Sequence, residues 1–217
     1  AIDPCVEYDE NGNLYMSYGS WSGGIYMLEL DEETGLRDLN VKYETVKGKS
    51  DQYMGIMLAG GNSVSGEASY IEKIGDYYYM FVSYGGFSAT GGYNMRIFRS
   101  EDIYGPYTDN LGQSAVYSTW KDNINSTVGM RLMSYYRWSW MEKGQTAQGH
   151  NSAFVDDDGN AYVIYHTRTD DGTEGHYVRV DQLFTDKNGY LLAAPFNYNT
   201  TDDTNVDITD VSKIAGE

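Results

Sequence analysis

Three ionisable residues, Asp3, Glu67 and His150, head three similar stretches of sequence, residues 3–18, 67–84 and 150–165. Each stretch passes through a short apolar run to a turn, then through an aromatic-rich run to Tyr18, Tyr84 or Tyr165. Two carboxyls and an imidazole gathered at one place can move protons. One carboxyl can hand its proton to a leaving oxygen, provided burial or a nearby negative charge keeps it protonated near neutral pH. For a lone acid, a solvated strand cap is the plainer reading, and for a lone histidine a hydrogen-bonded structural ring. Three aligned positions favour a shared site.

The elements that would position them are strands. The turns Asp9-Glu10-Asn11-Gly12, Ile74-Gly75-Asp76 and Asp157-Asp158-Gly159-Asn160 each supply a glycine for the positive φ of a tight hairpin. A third strand follows each hairpin, at residues 25–30, 95–99 and 176–180, and a fourth is visible at 190–193. Antiparallel units repeated at long intervals predict an all-β chain built of propeller blades. The first strand of each blade would line the axis, with its first residue at one mouth of the channel. No amphipathic helix stands out, and residues 114–148 read as a long insertion between the second and third units. The run Asp156-Asp157-Asp158-Gly159 lacks the ligand spacing of a calcium loop and reads as a hairpin turn.

Composition narrows the ligands. Among 217 residues there are 22 Tyr, 25 Gly and 3 Pro, as expected for β structure with many turns. With 15 Lys and Arg against 32 Asp and Glu, the net charge of −17 disfavours nucleic acid and membrane surfaces and is compatible with a neutral polysaccharide. Cys5 is the single cysteine, so no internal disulfide can form. Residues 1–4 already read as the entrance to a strand, so the N-terminus reads as cut.

The motifs Ala1-Ile2-Asp3-Pro4, Tyr18-Gly19-Ser20-Trp21-Ser22-Gly23-Gly24-Ile25, Gly66-Glu67-Ala68-Ser69-Tyr70-Ile71, Phe81-Val82-Ser83-Tyr84-Gly85-Gly86, Gly92-Tyr93-Asn94-Met95-Arg96, Gly149-His150-Asn151-Ser152 and Leu191-Leu192-Ala193-Ala194-Pro195 extend across nearly the whole chain. In their order and phase with the blades, the sequence resembles the family 43 glycoside hydrolases, and among them the endo-acting α-1,5-L-arabinanases. The resemblance implies a secreted, five-bladed β-propeller. This chain would carry three blades, at about residues 1–60, 61–148 and 149–198, followed by an acidic linker at 199–217 toward a small C-terminal β-domain.

It further implies an inverting acid/base mechanism, whose two carboxyls stand roughly 6.5–9.5 Å apart so that water fits between base and sugar. Glu67 would be the general acid and Asp3 the residue that tunes and orients it. No residue of this chain matches the family's general base. His150 would help hold an axial ion, usually calcium, often through water, the alternative being a hydrogen-bonded channel histidine. Ser20, Trp21, Tyr84 and Arg96 are the substrate-binding candidates. Ordinary packing is the alternative for the aromatic pair, and a blade-surface role for the arginine. His166 and His176 receive no role.

Two rivals stay open: an exo-acting arabinofuranosidase or β-xylosidase of the same family, and a carbohydrate-binding propeller without catalysis. An open ring exposes sheet edges, so the chain is expected to associate with itself or with the missing N-terminal blades. Sedimentation of the chain by itself should then report a species larger than a monomer.

Overall fold

The repeat resolves into three antiparallel sheets in the computed structural model, which describes residues 2–61, 66–117 and 128–193. The first holds β1 (Cys5–Tyr8), β2 (Leu14–Gly19), β3 (Ile25–Leu30), β4 (Ser50–Asp51) and β5 (Gly55–Ala59), in the order β1-β2-β3-β5-β4. The second holds β6 (Glu67–Ile74), β7 (Tyr77–Tyr84), β8 (Asn94–Ser100) and β9 (Met130–Met133). The third holds β10 (Gln145–Val155), β11 (Ala161–Thr169), β12 (Tyr177–Thr185) and β13 (Leu191–Ala193), both in chain order. The first strand of each sheet meets the neighbouring sheet: β6 packs on β1 and β2, and β10 packs on β6, β7 and β8.

The apolar run of β7 reads as continuous because both of its faces are buried. Tyr78, Met80, Val82 and Tyr84 enter a core shared with Cys5, Ile25 and Met27 of the first sheet. Tyr79 and Phe81 enter a second core with Val163, Tyr165 and Leu183 of the third. Period-two alternation thus sends neighbouring side chains of one strand into two different cores. Each large side chain so buried contributes about 1.5–3 kcal/mol.

Two expectations shift. Residues 114–148 are not wholly an insertion, because β9 within them closes the second sheet against β8. The third sheet begins at Gln145, so His150 lies inside β10 and does not head it. The acidic segment 199–217 lies outside the described residues.

The inner strands also carry a displaced register. Glu67 pairs with Ser83 and Gly149 with His166, and one extra residue follows before Tyr70 meets Phe81 and Ser152 meets Ile164. The first sheet repeats this, with Gly19 N–H donating to the Ile2 carbonyl at 3.0 Å before Cys5 pairs with Ser17. The residue after each of those pairs is left-handed: Asp3 (φ 57°), Ala68 (φ 54°) and His150 (φ 48°). Asp3, Ala68 and His150 are therefore the equivalent positions, and Glu67 stands one residue earlier, level with Ile2 and Gly149. By the same register Tyr18 and Tyr165 align with Val82, two residues before Tyr84. A bulge inserts one unpaired residue and re-aims its neighbours; in the second sheet that residue is the apolar Ala68, so an alignment on polar strand heads comes out one residue off.

Where β1 meets β6, Cys5 is sealed in. Its Sγ accepts the Ile71 N–H at 3.4 Å and lies 3.7 Å from the Ile71 carbonyl, and burial pushes its thiol up to about 11. Cys5 is a packing residue, with no thiolate available near neutral pH. Nearby, Glu72 is half-buried, and burial together with the Glu7 carboxylate raises its pKa to about 7 from 4.5. The folded state therefore favours the protonated acid. Its contribution to stability is present below about pH 4.5 and is lost as pH rises through about 7. Glu72→Gln should melt a few degrees above the parent at pH 8 and close to it at pH 4.5. Calorimetry at both pH values checks this, and a gap that does not widen with pH contradicts it.

Candidate active site

Glu67 is the first residue of β6 and is clamped on both carboxyl oxygens. The Trp21 indole Nε1–H donates to Oε2 at 2.7 Å, and the Tyr93 hydroxyl donates to Oε1 at 2.7 Å. Trp21 reaches it from a short 3₁₀ turn, Trp21–Gly23, between β2 and β3. Its own backbone N–H donates to the Gly66 carbonyl at 3.0 Å, tying the turn to the residue beside Glu67. Gly19 makes the turn possible. It sits at φ 123°, and a Cβ there would lie 2.4 Å from the Gly24 carbonyl oxygen.

The two clamps differ in chemistry. Indole N–H only donates, whereas a phenol can donate or accept. Trp21 therefore holds Oε2 in either protonation state. Tyr93 can donate to an ionised Oε1 or accept from a protonated one, which orients the acidic proton. The site suits a carboxyl that must cycle between both forms.

Asp3 supports Glu67 from the first sheet. Its Oδ2 accepts the N–H of Ala68 at 2.9 Å, and its Oδ1 lies 3.7 Å from His150 Nε2. A matching bond links the next pair of sheets, where the His150 N–H donates to Ser83 Oγ at 2.8 Å. Asp3, Glu67 and His150 do come together, although not as equivalent positions.

Behind Glu67 lies an aromatic wall that sequence reasoning missed. Tyr93 is buried and stacks on His166 with ring centroids 5.6 Å apart and planes 16° apart, while Phe87 meets Tyr93 edge-on at 5.5 Å. Burial, then the neighbouring His176 and His150, push His166 down to about 4, so its ring is neutral near pH 7. The motif Gly92-Tyr93-Asn94 was visible in the sequence, but nothing in it announced that Tyr93 would reach Glu67.

Of the four expected substrate residues, Trp21 alone presents an open face, at 40% exposure. Arg96 and Tyr84 are 3% and 1% exposed, with the guanidinium 4.8 Å above the tyrosine ring. Arg96 also donates to Asn94 Oδ1 and to the Val128 carbonyl. The pair, expected from sequence to face a sugar, packs inside the second sheet. Alternation had to send the side chains of β7 and β8 to one core or the other. The Ser20 hydroxyl is likewise shielded from solvent.

Calcium takes about six to eight oxygen ligands. Among the described residues no group of three His, Cys, Asp or Glu side chains could hold a metal ion.

Residues 1–191 match the family model described as glycosyl hydrolases family 43. The chain belongs to that family. Its fold is all-β, of the five-bladed propeller type, with about three blades covered. It is 40% identical over 207 residues to an extracellular endo-α-(1->5)-L-arabinanase of Thermotoga petrophila, covering 91% of this chain and 42% of that protein. It is 39% identical over 210 residues to extracellular endo-α-(1->5)-L-arabinanase 2 of Bacillus subtilis, again covering 91% and 42%. A crystal structure of the endo-1,5-α-L-arabinanase from Thermotoga petrophila superposes with a TM-score of 0.79 at 37% identity, over 93% of this chain and 44% of that one. The chain thus spans 42% of the length of these two curated relatives.

In this family 43 chain the Gly149-His150 pair has a steric reason. A Cβ on Gly149 would lie 2.5 Å from the Tyr93 ring and 2.7 Å from Ser83 Oγ. Gly149→Ala should therefore destabilise the fold by about 1–3 kcal/mol, as overpacking does. Denaturant unfolding measures it, and an unchanged midpoint contradicts the close approach.

Proposed function

We propose that this chain forms part of a secreted enzyme that hydrolyses internal α-1,5-L-arabinofuranosidic bonds of arabinan, with Glu67 as general acid. The observation that carries the reading is the double clamp on Glu67 by Trp21 and Tyr93, with Asp3 beside it. Relatives named as extracellular endo-arabinanases, at 40% and 39% identity, support the substrate, the endo mode and the location.

In the reaction the bond from the anomeric carbon to the leaving oxygen breaks, and a bond from that carbon to water oxygen forms on the opposite face. Glu67 gives its proton to the leaving oxygen. Trp21 and Tyr93 hold the two carboxyl oxygens in place while that proton leaves. Asp3 fixes the backbone just after Glu67 through the Ala68 N–H. The carboxylate that activates water is not assigned to any residue of this chain. The clamp argues against a purely carbohydrate-binding propeller, since binding alone has no use for a carboxyl held ready in two protonation states.

Reducing-sugar release from linear α-1,5-arabinan tests this in the active protein. Glu67→Ala should lower turnover by about 10²–10⁴-fold, the usual contribution of a general acid. Tyr93→Phe should lower it less and leave KM nearly unchanged. Mixed oligomers should appear first among the products. A near-parental rate for Glu67→Ala would falsify the assignment, and arabinose as sole early product would make the enzyme exo-acting.

A further inference from the structure

The connection from β9 to β10, residues 134–144, carries an aromatic cluster that the site above does not use. Antiparallel pairing puts the start of β6, the end of β7, the start of β8 and the end of β9 at one end of the second sheet. Glu67 is at that end, and so is the exit of β9. The start of β10 joins it, because Thr146 Oγ1 donates at 3.1 Å to the carbonyl of Ala89, in the loop between β7 and β8. The connection therefore emerges on the face of the molecule where Glu67 opens.

Its conformation is built. Tyr136 and Gln145 exchange both backbone hydrogen bonds, at 3.0 and 2.9 Å. Met141 N–H donates to the Trp138 carbonyl at 3.0 Å, and Arg137 Nε donates to the Met141 carbonyl at 3.2 Å. This frame lines up three rings. Tyr136 and Trp138 have centroids 6.0 Å apart, and Trp138 and Trp140 stack at 5.7 Å with planes 10° apart. Despite the stacking, Trp138 is 39% and Trp140 69% exposed. Large aromatic surface in water costs free energy and marks a contact surface when it is contiguous.

We propose that Tyr136, Trp138 and Trp140 form an additional polysaccharide-binding shelf that holds a neutral glycan chain beyond the Glu67 clamp, an inference that rests on Glu67 being the hydrolytic centre. Indole offers a flat apolar face to sugar C–H groups and an N–H to sugar hydroxyls. A net charge of −17 disfavours polyanionic occupants. Among the expected substrate residues Trp21 alone is open to solvent, so a long chain anchored only there would gain little; a second aromatic station on the same face supplies the missing hold.

Affinity electrophoresis of this chain in gels containing linear arabinan tests it, with galactomannan and β-glucan gels alongside. Trp140→Ala should bind roughly three- to tenfold more weakly, as expected for losing one aromatic contact. Trp140→Phe should recover most of the retention. Retention of Trp140→Ala equal to the parent overturns the shelf. So does failure of the parent to bind any of the three glycans, or a Trp140→Ala effect confined to self-association in sedimentation. Retention on another neutral glycan but not arabinan, lost in Trp140→Ala, upholds the shelf and overturns the arabinan reading instead.

Discussion

The site hangs on one hydrogen bond, from the N–H of Ala68 to the carboxylate of Asp3. It crosses from the first sheet to the second at the residue next to Glu67. A bond from a backbone N–H to a charged acceptor contributes about 1.5–3 kcal/mol, more than a neutral one. The next interface repeats the device, with Ser83 Oγ accepting from His150 N–H. In both places a side chain of one sheet caps the left-handed residue of the next. The left-handed bulges thus dock each inner strand to its neighbour and aim its leading side chains into the mouth.

The second sheet has the most constrained part. Its strands face a core on each side, so β7 and β8 have no surface face to spare. This explains why so many of the tyrosines are structural. Tyr84 and Tyr79 fill cores, while Tyr93, just before β8, reaches Glu67. Arg96 is drawn inward by the same constraint and finds its partners in the Tyr84 ring, Asn94 and a backbone carbonyl.

The electrostatics of the mouth are economical. In a chain with a net charge of −17, Glu67 is held by neutral donors and no Lys or Arg ion pair to it is present among the described residues. A cation on Glu67 would stabilise the ionised form and suit a general acid poorly. The wall behind is uncharged as well, since burial keeps His166 neutral. An indole N–H and a phenol hold the carboxyl without committing it to one protonation state.

Turn chemistry and period-two alternation are local, so the sequence by itself determined the all-β class, the three repeats, most strand positions and the candidacy of Asp3, Glu67 and Trp21. Tertiary structure decided what depends on partners far along the chain. The residue equivalent to Asp3 and His150 in the second sheet is the apolar Ala68, with Glu67 one place earlier, which only the pairing register and the shared left-handed conformation reveal. Packing between sheets buried Arg96 and Tyr84, which look as available in sequence as Trp21 does. It also joined Tyr93 to Glu67 across 26 residues and to His166 through ring stacking. The aromatic connection at 134–144 lacks strand periodicity, so only the direction of β9 and β10 could place it on the face that carries Glu67.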